Sequence, residues 1–259
     1  MIGLGLGSQP TTESGIFGSY QSLNLDGNSD YVALPAEFLQ AVTANNELTI
    51  TAFSASAWVN LIQNDGDTSQ IIFKIFTDTS NQFILVYHKY YTEWRGSVET
   101  GNDIRRTIYD IPGSSNDDGS GYDDGWQHFV LTYTIVEGAY SVKLYRNGSL
   151  VQNTTAASGQ EEWEGDVTSA HIGANQDGSG SFVDGQIDQV AFWTIELDAD
   201  AVTAIYNNGR PRDLTTFQTN YSPANLLAYY QFEGNALDSS GNSYHGTLHG
   251  TAGFSRNQP

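Results

Sequence analysis

Alternating carboxylates in the segment 161–166 are the part of this sequence that most resembles an acid–base pair. Glu162, Glu164 and Asp166 occupy every second position, which would place them on one face of an extended strand. Retaining glycoside hydrolases hold two carboxyl groups about 5–5.5 Å apart, and such positions approach that separation. The segment contains Gly165 and lacks the β-branched residues of a central strand, which argues against a central strand that could hold a catalytic pair. We therefore expect no enzymatic activity, with a glycoside hydrolase or polysaccharide lyase as the less favoured alternative.

An aromatic group between residues 87 and 95 could form a sugar-binding surface. Tyr90, Tyr91 and Trp94 follow one another closely, with Arg95 beside them. Aromatic faces pack against the apolar side of a pyranose ring, and arginine donates hydrogen bonds to hydroxyl or carboxylate groups. The alternative, which we favour, is that Tyr87 lies in the core while the others pack across strands at the edge of a sheet.

Two further aspartates could hold a structural ion. Asp188 and Asp238 lie in or beside apolar segments, and carboxylate oxygens are ligands that hard cations prefer. Buried carboxylates are, however, normally satisfied by hydrogen bonds from the protein itself. We favour this second interpretation, in which Asp188 caps a turn or accepts backbone donors.

The charge balance argues against two classes of partner. The 259 residues include thirty acidic and ten basic ones, for a net charge of −20, and such a field repels nucleic acid and anionic membranes. No stretch approaches the ~20 apolar residues of a membrane helix, and the segment 1–7 lacks the basic region of an export signal. We expect neither nucleic-acid binding nor membrane insertion. The chain has no cysteine, so its stability must come from its core.

Short apolar runs between turn residues predict an all-β protein with antiparallel strands. The 27 glycines and 15 tyrosines suit many short strands joined by tight turns. The pair Asn147-Gly148 between two apolar runs is a strong hairpin signal. The predicted strands are Ser22–Leu25, Tyr31–Leu34, Leu48–Asn60, Ser69–Phe76, Gln82–His88, Gly125–Ile135, Tyr140–Arg146, Ala170–Gly173, Gln186–Trp193 and Leu226–Phe232.

The sequence further predicts one short helix and a single folded unit. The helix lies near 198–208, where Asp198 can cap its start and Gly209 can end it. Residues 1–18 lack periodicity and predict a flexible arm. Residues 19–250 are expected to form one sandwich, followed by a C-terminal tail at 251–259.

Three segments of the sequence resemble the laminin G-like jelly roll, a concanavalin A-like sandwich of two antiparallel sheets. Their order and spacing agree with that family from about residue 20 to residue 209. Residues 226–250 resemble the segment that usually opens such a domain. Because the termini of a jelly roll lie close together, we expect these strands to complete the same sandwich in permuted order. The three segments are Leu23–Val32; Ala57–Val59 with Trp126–Val130 and Leu144–Gly148; and Gly185–Trp193 with Ile205–Gly209.

Two other segments resemble the calcium-binding segments of pentraxins, which share this architecture. The resemblance implies Asn81, Asn175, Gln176 and Asp177 as candidate calcium ligands, and their oxygens are of the type that calcium prefers. The sequence departs from the pentraxin pattern at two acidic ligands, which fall on Ser80 and on Asn175. Fewer carboxylates imply weaker calcium binding.

The chain also resembles laminin G-like structural proteins of marine tailed phages, in its Gly-Leu-Gly start and in the joint at 206–214. This resemblance implies a lectin-like virion decoration or appendage protein, assembled in the host cytoplasm and exposed on the particle. Leu4, Leu6, Ile16 and Phe17 of the arm would then anchor it to other virion proteins or to copies of itself. The alternative is an extracellular bacterial adhesin or lectin module that binds cell-surface glycans with calcium.

Overall fold

The computed structural model is a sandwich of two antiparallel sheets. It describes residues 19–42, 49–62, 69–77, 81–88, 93–100, 103–110, 125–137, 139–156, 163–175 and 177–259. The eight-stranded sheet has the order β11 (Ser149–Ala156), β10 (Ala139–Arg146), β9 (Gln127–Val136), β4 (Ala52–Leu61), β14 (Asp184–Trp193), β1 (Ser22–Asp26) and β17 (Gly253–Ser255), with β15 (Leu226–Tyr230) paired to β14.

The seven-stranded sheet lies against it. Its order is β16 (Thr247–His249), β2 (Tyr31–Ala33), β13 (Val167–Ile172), β5 (Gln70–Thr77), β6 (Gln82–His88), β7 (Glu93–Thr100) and β8 (Asp103–Asp110). Two short strands, β3 (Thr49–Ile50) and β12 (Trp163–Glu164), pair with each other. This architecture confirms the predicted fold class, an all-β jelly-roll sandwich.

Aromatic side chains fill the space between the two sheets. Phe53 and Phe192 project from the eight-stranded sheet, and Phe73 and Phe83 from the seven-stranded one. The Phe53 and Phe83 ring centroids are 5.2 Å apart, and those of Phe73 and Phe192 are 5.8 Å apart, both edge-to-face. Alternation along each strand delivers these side chains to the inner face, and edge-to-face contacts add to the free energy of their burial.

The predicted helix is present as α2 (Ala199–Tyr206). The Asp198 side chain accepts a hydrogen bond from the Ala201 amide at 2.7 Å, so it caps the helix as expected. Val202 and Ile205 pack with Trp193 on the outer face of the eight-stranded sheet. The helix therefore covers a part of that sheet that would otherwise expose apolar surface.

A second helix, α1 (Ala36–Val42), was not predicted. It has seven residues and buries Phe38, whose ring meets Phe192 edge-to-face at 5.3 Å. So short a helix is marginal by itself, and it forms here because tertiary packing on the core stabilises it.

The predicted hairpin connects β10 and β11. Asn147 and Gly148 both have positive φ, at 50° and 78°, which is the backbone of the two-residue turn that fits the twist of paired strands. A side chain at Gly148 would also meet the Tyr206 ring, since a Cβ there would lie 2.7 Å from Tyr206 Cδ1. The hairpin turn and α2 therefore pack directly against each other.

The C-terminal residues belong to both sheets. β15 pairs with β14, and β16 pairs with β2. The expectation that 251–259 is a tail does not hold for residues 253–255, because β17 pairs with β1 in the register Ser22↔Ser255. Both ends of the described chain thus meet at one edge of the eight-stranded sheet.

Candidate functional site

The predicted calcium ligands that the structure describes are bound to protein groups. Lys74 Nζ donates to Asn175 Oδ1 at 3.0 Å, and the backbone oxygen of Asn81 accepts from the Thr77 amide. Asp177 is exposed and accepts from the Ser179 amide at 3.1 Å. Gln176 lies outside the described residues. An ammonium group thus occupies an amide oxygen that a calcium ion at this set would need, so calcium would have to compete with Lys74 for Asn175.

Asp188 is buried and bound by two donors. Its Oδ2 accepts from Ser19 Oγ at 2.6 Å and its Oδ1 from the Gln189 amide at 2.8 Å. Burial raises the pKa of Asp188 well above its usual range; the hydrogen bonds oppose this shift, and the charge of Glu233 adds to it. Burial that raises the pKa disfavours the charged carboxylate, the form that a cation binds.

Asp238 holds the turn that follows β15. Its Oδ1 accepts from the amides of Tyr229 and Ser240, and its Oδ2 accepts from the Tyr244 amide at 3.0 Å. Among the described residues, the donors that bind Asp238 are different from those that bind Asp188. Within the described ranges no three His, Cys, Asp or Glu side chains come together as a metal site. Hydrogen bonding from the protein, the favoured interpretation, accounts for both aspartates.

Of the four predicted sugar-binding residues, Tyr90 and Tyr91 lie outside the described residues, and Trp94 is not at the surface. Only 2% of Trp94 is exposed. The centroid of its ring lies 4.0 Å from that of Phe129 and 5.1 Å from that of Tyr87. A sugar cannot stack on a ring enclosed by the core, so this assignment of Trp94 is corrected. Arg95 is half-buried on β7 and pairs with Glu93.

The acidic segment lies only partly within the described residues, and the arm lies outside them. Glu162 and the arm residues Leu4, Leu6, Ile16 and Phe17 lie outside the described residues. Asp166 is exposed, and Gly165 beside it has a φ of 95°. Glu164 belongs to the two-residue strand β12, not to a long central strand.

A groove at the edge of the eight-stranded sheet was not anticipated from the sequence. It has a volume of about 650 Å³ and combines an aromatic side chain, a carboxylate, a guanidinium and two amides. Tyr20 is 67% exposed there. Because the groups come from residues 20–21, 233 and 256–258, no local motif reveals them. The lining residues are Tyr20, Gln21, Glu233, Arg256 and Gln258.

The backbone around the groove is held in unusual conformations. Phe232 is buried and has a φ of 55°, and Gly234 has a φ of 76°. A bulky residue with positive φ is costly and persists only where its surroundings enforce it. This turn presents Glu233, whose Oε1 accepts a hydrogen bond from the Tyr20 amide at 2.7 Å. This hydrogen bond joins the Tyr20 backbone to the Glu233 side chain at the groove.

The groove carries one cation and one anion on its surface. The Arg256 side chain is exposed and makes no ion pair in the described part of the chain, although the protein has only ten basic residues. Its guanidinium can donate several hydrogen bonds, while Glu233 and the amides of Gln21 and Gln258 can accept them. Beside the exposed Tyr20 ring, this set of groups suits a polar ligand with an apolar face.

The chain belongs to the concanavalin A-like lectin/glucanases superfamily, because the Laminin_G_3 model of that superfamily matches residues 26–203. Eight of the ten predicted strands lie entirely within this match. No curated protein matches the sequence.

Several solved structures are similar to this chain at low sequence identity. A candidate carbohydrate-binding protein from Bacteroides ovatus aligns with a TM-score of 0.56 and 15% identity over 92% of this chain and 60% of its own. The SAP-like pentraxin from Limulus polyphemus aligns with a TM-score of 0.48 and 15% identity, over 76% of this chain and 88% of its own. The CBM40 domain of the Ruminococcus gnavus IT-sialidase aligns with a TM-score of 0.48 and 12% identity, over 72% of this chain and 98% of its own. This chain spans less than two thirds of the Bacteroides protein.

Proposed function

We propose that this protein is a non-enzymatic, lectin-like module that binds a carbohydrate through the groove lined by Tyr20, Glu233 and Arg256. The observation that carries the proposal is the exposed Tyr20 ring, which lines one groove together with the carboxylate of Glu233, the guanidinium of Arg256 and two amide side chains. A pyranose has an apolar face that packs on an aromatic ring and a rim of hydroxyl groups that donate and accept hydrogen bonds. Membership of a lectin-like superfamily agrees with this chemistry.

A glycan array followed by calorimetry tests the proposal. Tyr20→Ala removes the stacking surface and should abolish measurable binding. Phe217→Ala is the matched control, because Phe217 is also an exposed aromatic residue, at 74% exposure, but does not line the groove. Equal binding by wild type and Tyr20→Ala, or no binding to any glycan, would overturn the proposal.

The non-enzymatic part of the proposal rests on the acidic segment. Gly165 and the two-residue strand β12 do not provide the rigid adjacent positions that a pair of catalytic carboxylates needs. Glu162→Gln and Glu164→Gln should leave glycan binding unchanged, and the wild type should release no reducing sugar. Reproducible hydrolysis that disappears in either variant would show an enzyme.

We further propose that the module is exposed on a virion as a decoration or appendage protein. The resemblance of its start and of the joint at 206–214 to marine phage proteins supports this location, as does the absence of cysteine. Deleting residues 1–18 should leave a folded sandwich that no longer joins particles or oligomers. Normal incorporation of the truncated protein, seen by cryo-electron microscopy, would instead favour the adhesin or lectin module.

Calcium remains a separate proposal for the loop that contains Asn175. An ion that binds only the folded state raises its stability by RT ln(1 + [L]/Kd). Lys74 competes with such an ion for Asn175, so we expect a small effect in the wild type. Melting temperatures measured with calcium and with chelator, in wild type and in Lys74→Met, provide the test. Equal midpoints in both proteins would reject calcium binding.

A further inference from the structure

A row of amide side chains crosses the outer face of the eight-stranded sheet. Asn24 on β1, Gln186 on β14 and Asn60 on β4 are direct neighbours in register. Gln186 Oε1 accepts from Asn60 Nδ2 at 3.1 Å, and its Nε2 donates to Asn24 Oδ1 at 2.9 Å. The next residues along these strands, Leu25 and Ile187 among them, point into the core. Alternation therefore places the amides on the opposite, outer face.

The amide row adjoins the groove through Asn257. Asn257 Nδ2 donates to Gln186 Oε1 at 3.0 Å, and its backbone oxygen accepts from Ser22 Oγ at 2.5 Å. The residues on either side of it, Arg256 and Gln258, line the groove. The groove and the amide row are thus parts of one surface.

Trp126 adds a second aromatic group to this surface. It precedes β9, whose first residue Gln127 pairs with Val59, so the Trp126 backbone comes beside Asn60. Its indole Nε1 donates to Asn257 Oδ1 at 3.2 Å, and the residue is partly exposed. The indole therefore lies at the amide row and, unlike Trp94, outside the core.

The amide row has the hydrogen-bonding character of a sugar-binding surface. Each amide group both donates and accepts, as a hydroxyl group does. The bonds within the row use Asn60 Nδ2 and Asn24 Oδ1, which leaves an acceptor on Asn60 and a donor on Asn24. None of these side chains is charged. In a protein of net charge −20, the long-range field opposes the approach of an anionic polymer.

We infer that the groove and the amide row form one extended site for a neutral oligosaccharide chain. Tyr20 stacks on one sugar residue, Trp126 on another, and the amides of Asn24 and Asn60 bind hydroxyl groups between them. The inference rests on the proposed function and specifies its ligand as an uncharged polymer segment, not a single terminal sugar. Binding should therefore strengthen as the chain lengthens and should depend little on ionic strength.

The experiment compares chain lengths in variants of the full protein. The probes are neutral glucan, mannan and xylan oligosaccharides, from the monosaccharide to the hexasaccharide, with carboxylated uronan oligosaccharides for comparison. The wild type should bind long neutral chains at least about tenfold more tightly than short ones, which corresponds to ~1.4 kcal/mol. Trp126→Ala should abolish this gain yet keep the affinity for the shortest chain that binds, whereas Tyr20→Ala should lose binding at every length.

One further variant and a control complete the test. Asn24→Ala changes an exposed residue of the row and should reduce the gain with length even if Trp126→Ala is unstable. Phe217→Ala should behave as wild type. Tyr20-dependent binding that is independent of chain length would overturn the extended site while leaving the proposed function intact. Tighter binding of uronans would overturn neutral recognition, and failure of every glycan to bind would remove the proposed function itself.

Discussion

His128 shows how a single buried residue makes the fold sensitive to acid. It lies under two aromatic rings, with its centroid 4.9 Å from Trp58 and 5.9 Å from Tyr206, and its Nδ1 is buried without a hydrogen-bond partner. Burial lowers the pKa of His128 from 6.5 to about 3. The native protein therefore keeps this imidazole neutral at pH values where the unfolded chain protonates it.

His128→Phe should remove a part of the acid destabilisation. The contribution of His128 to the free energy of unfolding is fully present above pH 6.5 and is lost as pH falls toward 3, up to a loss on the order of 5 kcal/mol. Phenylalanine keeps the ring contacts without titrating. Denaturant unfolding between pH 7 and pH 5 should show a shallower decline for this variant. His128→Gln, which does not titrate but lacks the ring, should show the same slope at lower stability; slopes equal to wild type in both would contradict the assignment.

Asp188→Asn should change the stability of the fold at high pH, where the titration of His128 has no effect. Because burial raises the pKa of Asp188 in the folded protein, the native state prefers the protonated carboxyl, and stability falls as pH rises above 3.8 through the folded pKa. The amide of asparagine can still accept from Gln189 and donate to Ser19. We expect the variant to gain stability over wild type at pH 8, with a difference that shrinks toward pH 4. A loss of stability at pH 8 would indicate that the ionised carboxylate binds a cation.

At the scale of elements, the cap of α2 gives a matched pair of variants. Asp198→Ala removes the side chain that accepts from the Ala201 amide and should lower the free energy of unfolding by about 1 kcal/mol. This corresponds to a melting temperature lower by about 2–4 °C for a protein of this size. Asp200→Ala, an exposed change in the same first turn, should have a smaller effect. Equal losses in both variants would assign the effect to helix charge and not to the cap.

The elements that could be predicted are those with strong local signals. Alternating apolar residues marked β4, β5, β6, β9 and β14, the Asn-Gly pair marked the hairpin, and Asp198 marked the helix. Strand β8 was missed because half of its eight residues are charged, which hides an edge strand. Strand β7 was missed partly because of Gly96, where a Cβ would lie 2.5 Å from Leu131 Cδ1. Close packing across the sandwich, which is not visible in local sequence, selects glycine there.

At the scale of the whole molecule, the candidate site depends on the meeting of the two chain ends. Permuted C-terminal strands were expected to join the sandwich, but the groove could not be predicted, since its side chains are separated by more than 200 residues in sequence. The aromatic residues considered as a sugar-binding group are neighbours in sequence, and the burial of Tyr87 and Trp94 agrees with the favoured interpretation, in which they pack in the core and across strands. Among the described residues, no helix is long and apolar enough to cross a bilayer.

Removing residues 251–259 should separate folding from binding. The truncation deletes β17, a three-residue strand at the edge of its sheet, together with Arg256 and Gln258 of the groove. The two sheets retain their other strands, so circular dichroism should still report a folded β protein, with a lower melting temperature because Phe254 no longer packs against the core. Glycan binding should be lost. Wild-type affinity in the truncated protein would place the site elsewhere.

The pairing of β1 with β17 also determines how the molecule responds to mechanical force. Ser22 pairs with Ser255, Leu23 with Phe254 and Asn24 with Gly253, so the two chain ends leave the same end of the strand pair. Tension applied between the termini would load these residue pairs one after another, as in opening a zipper, and not all together in shear. The first strand to detach would carry Arg256 and Gln258 away from Tyr20. A protein stretched between its two ends would therefore lose the groove before the rest of the sandwich gives way.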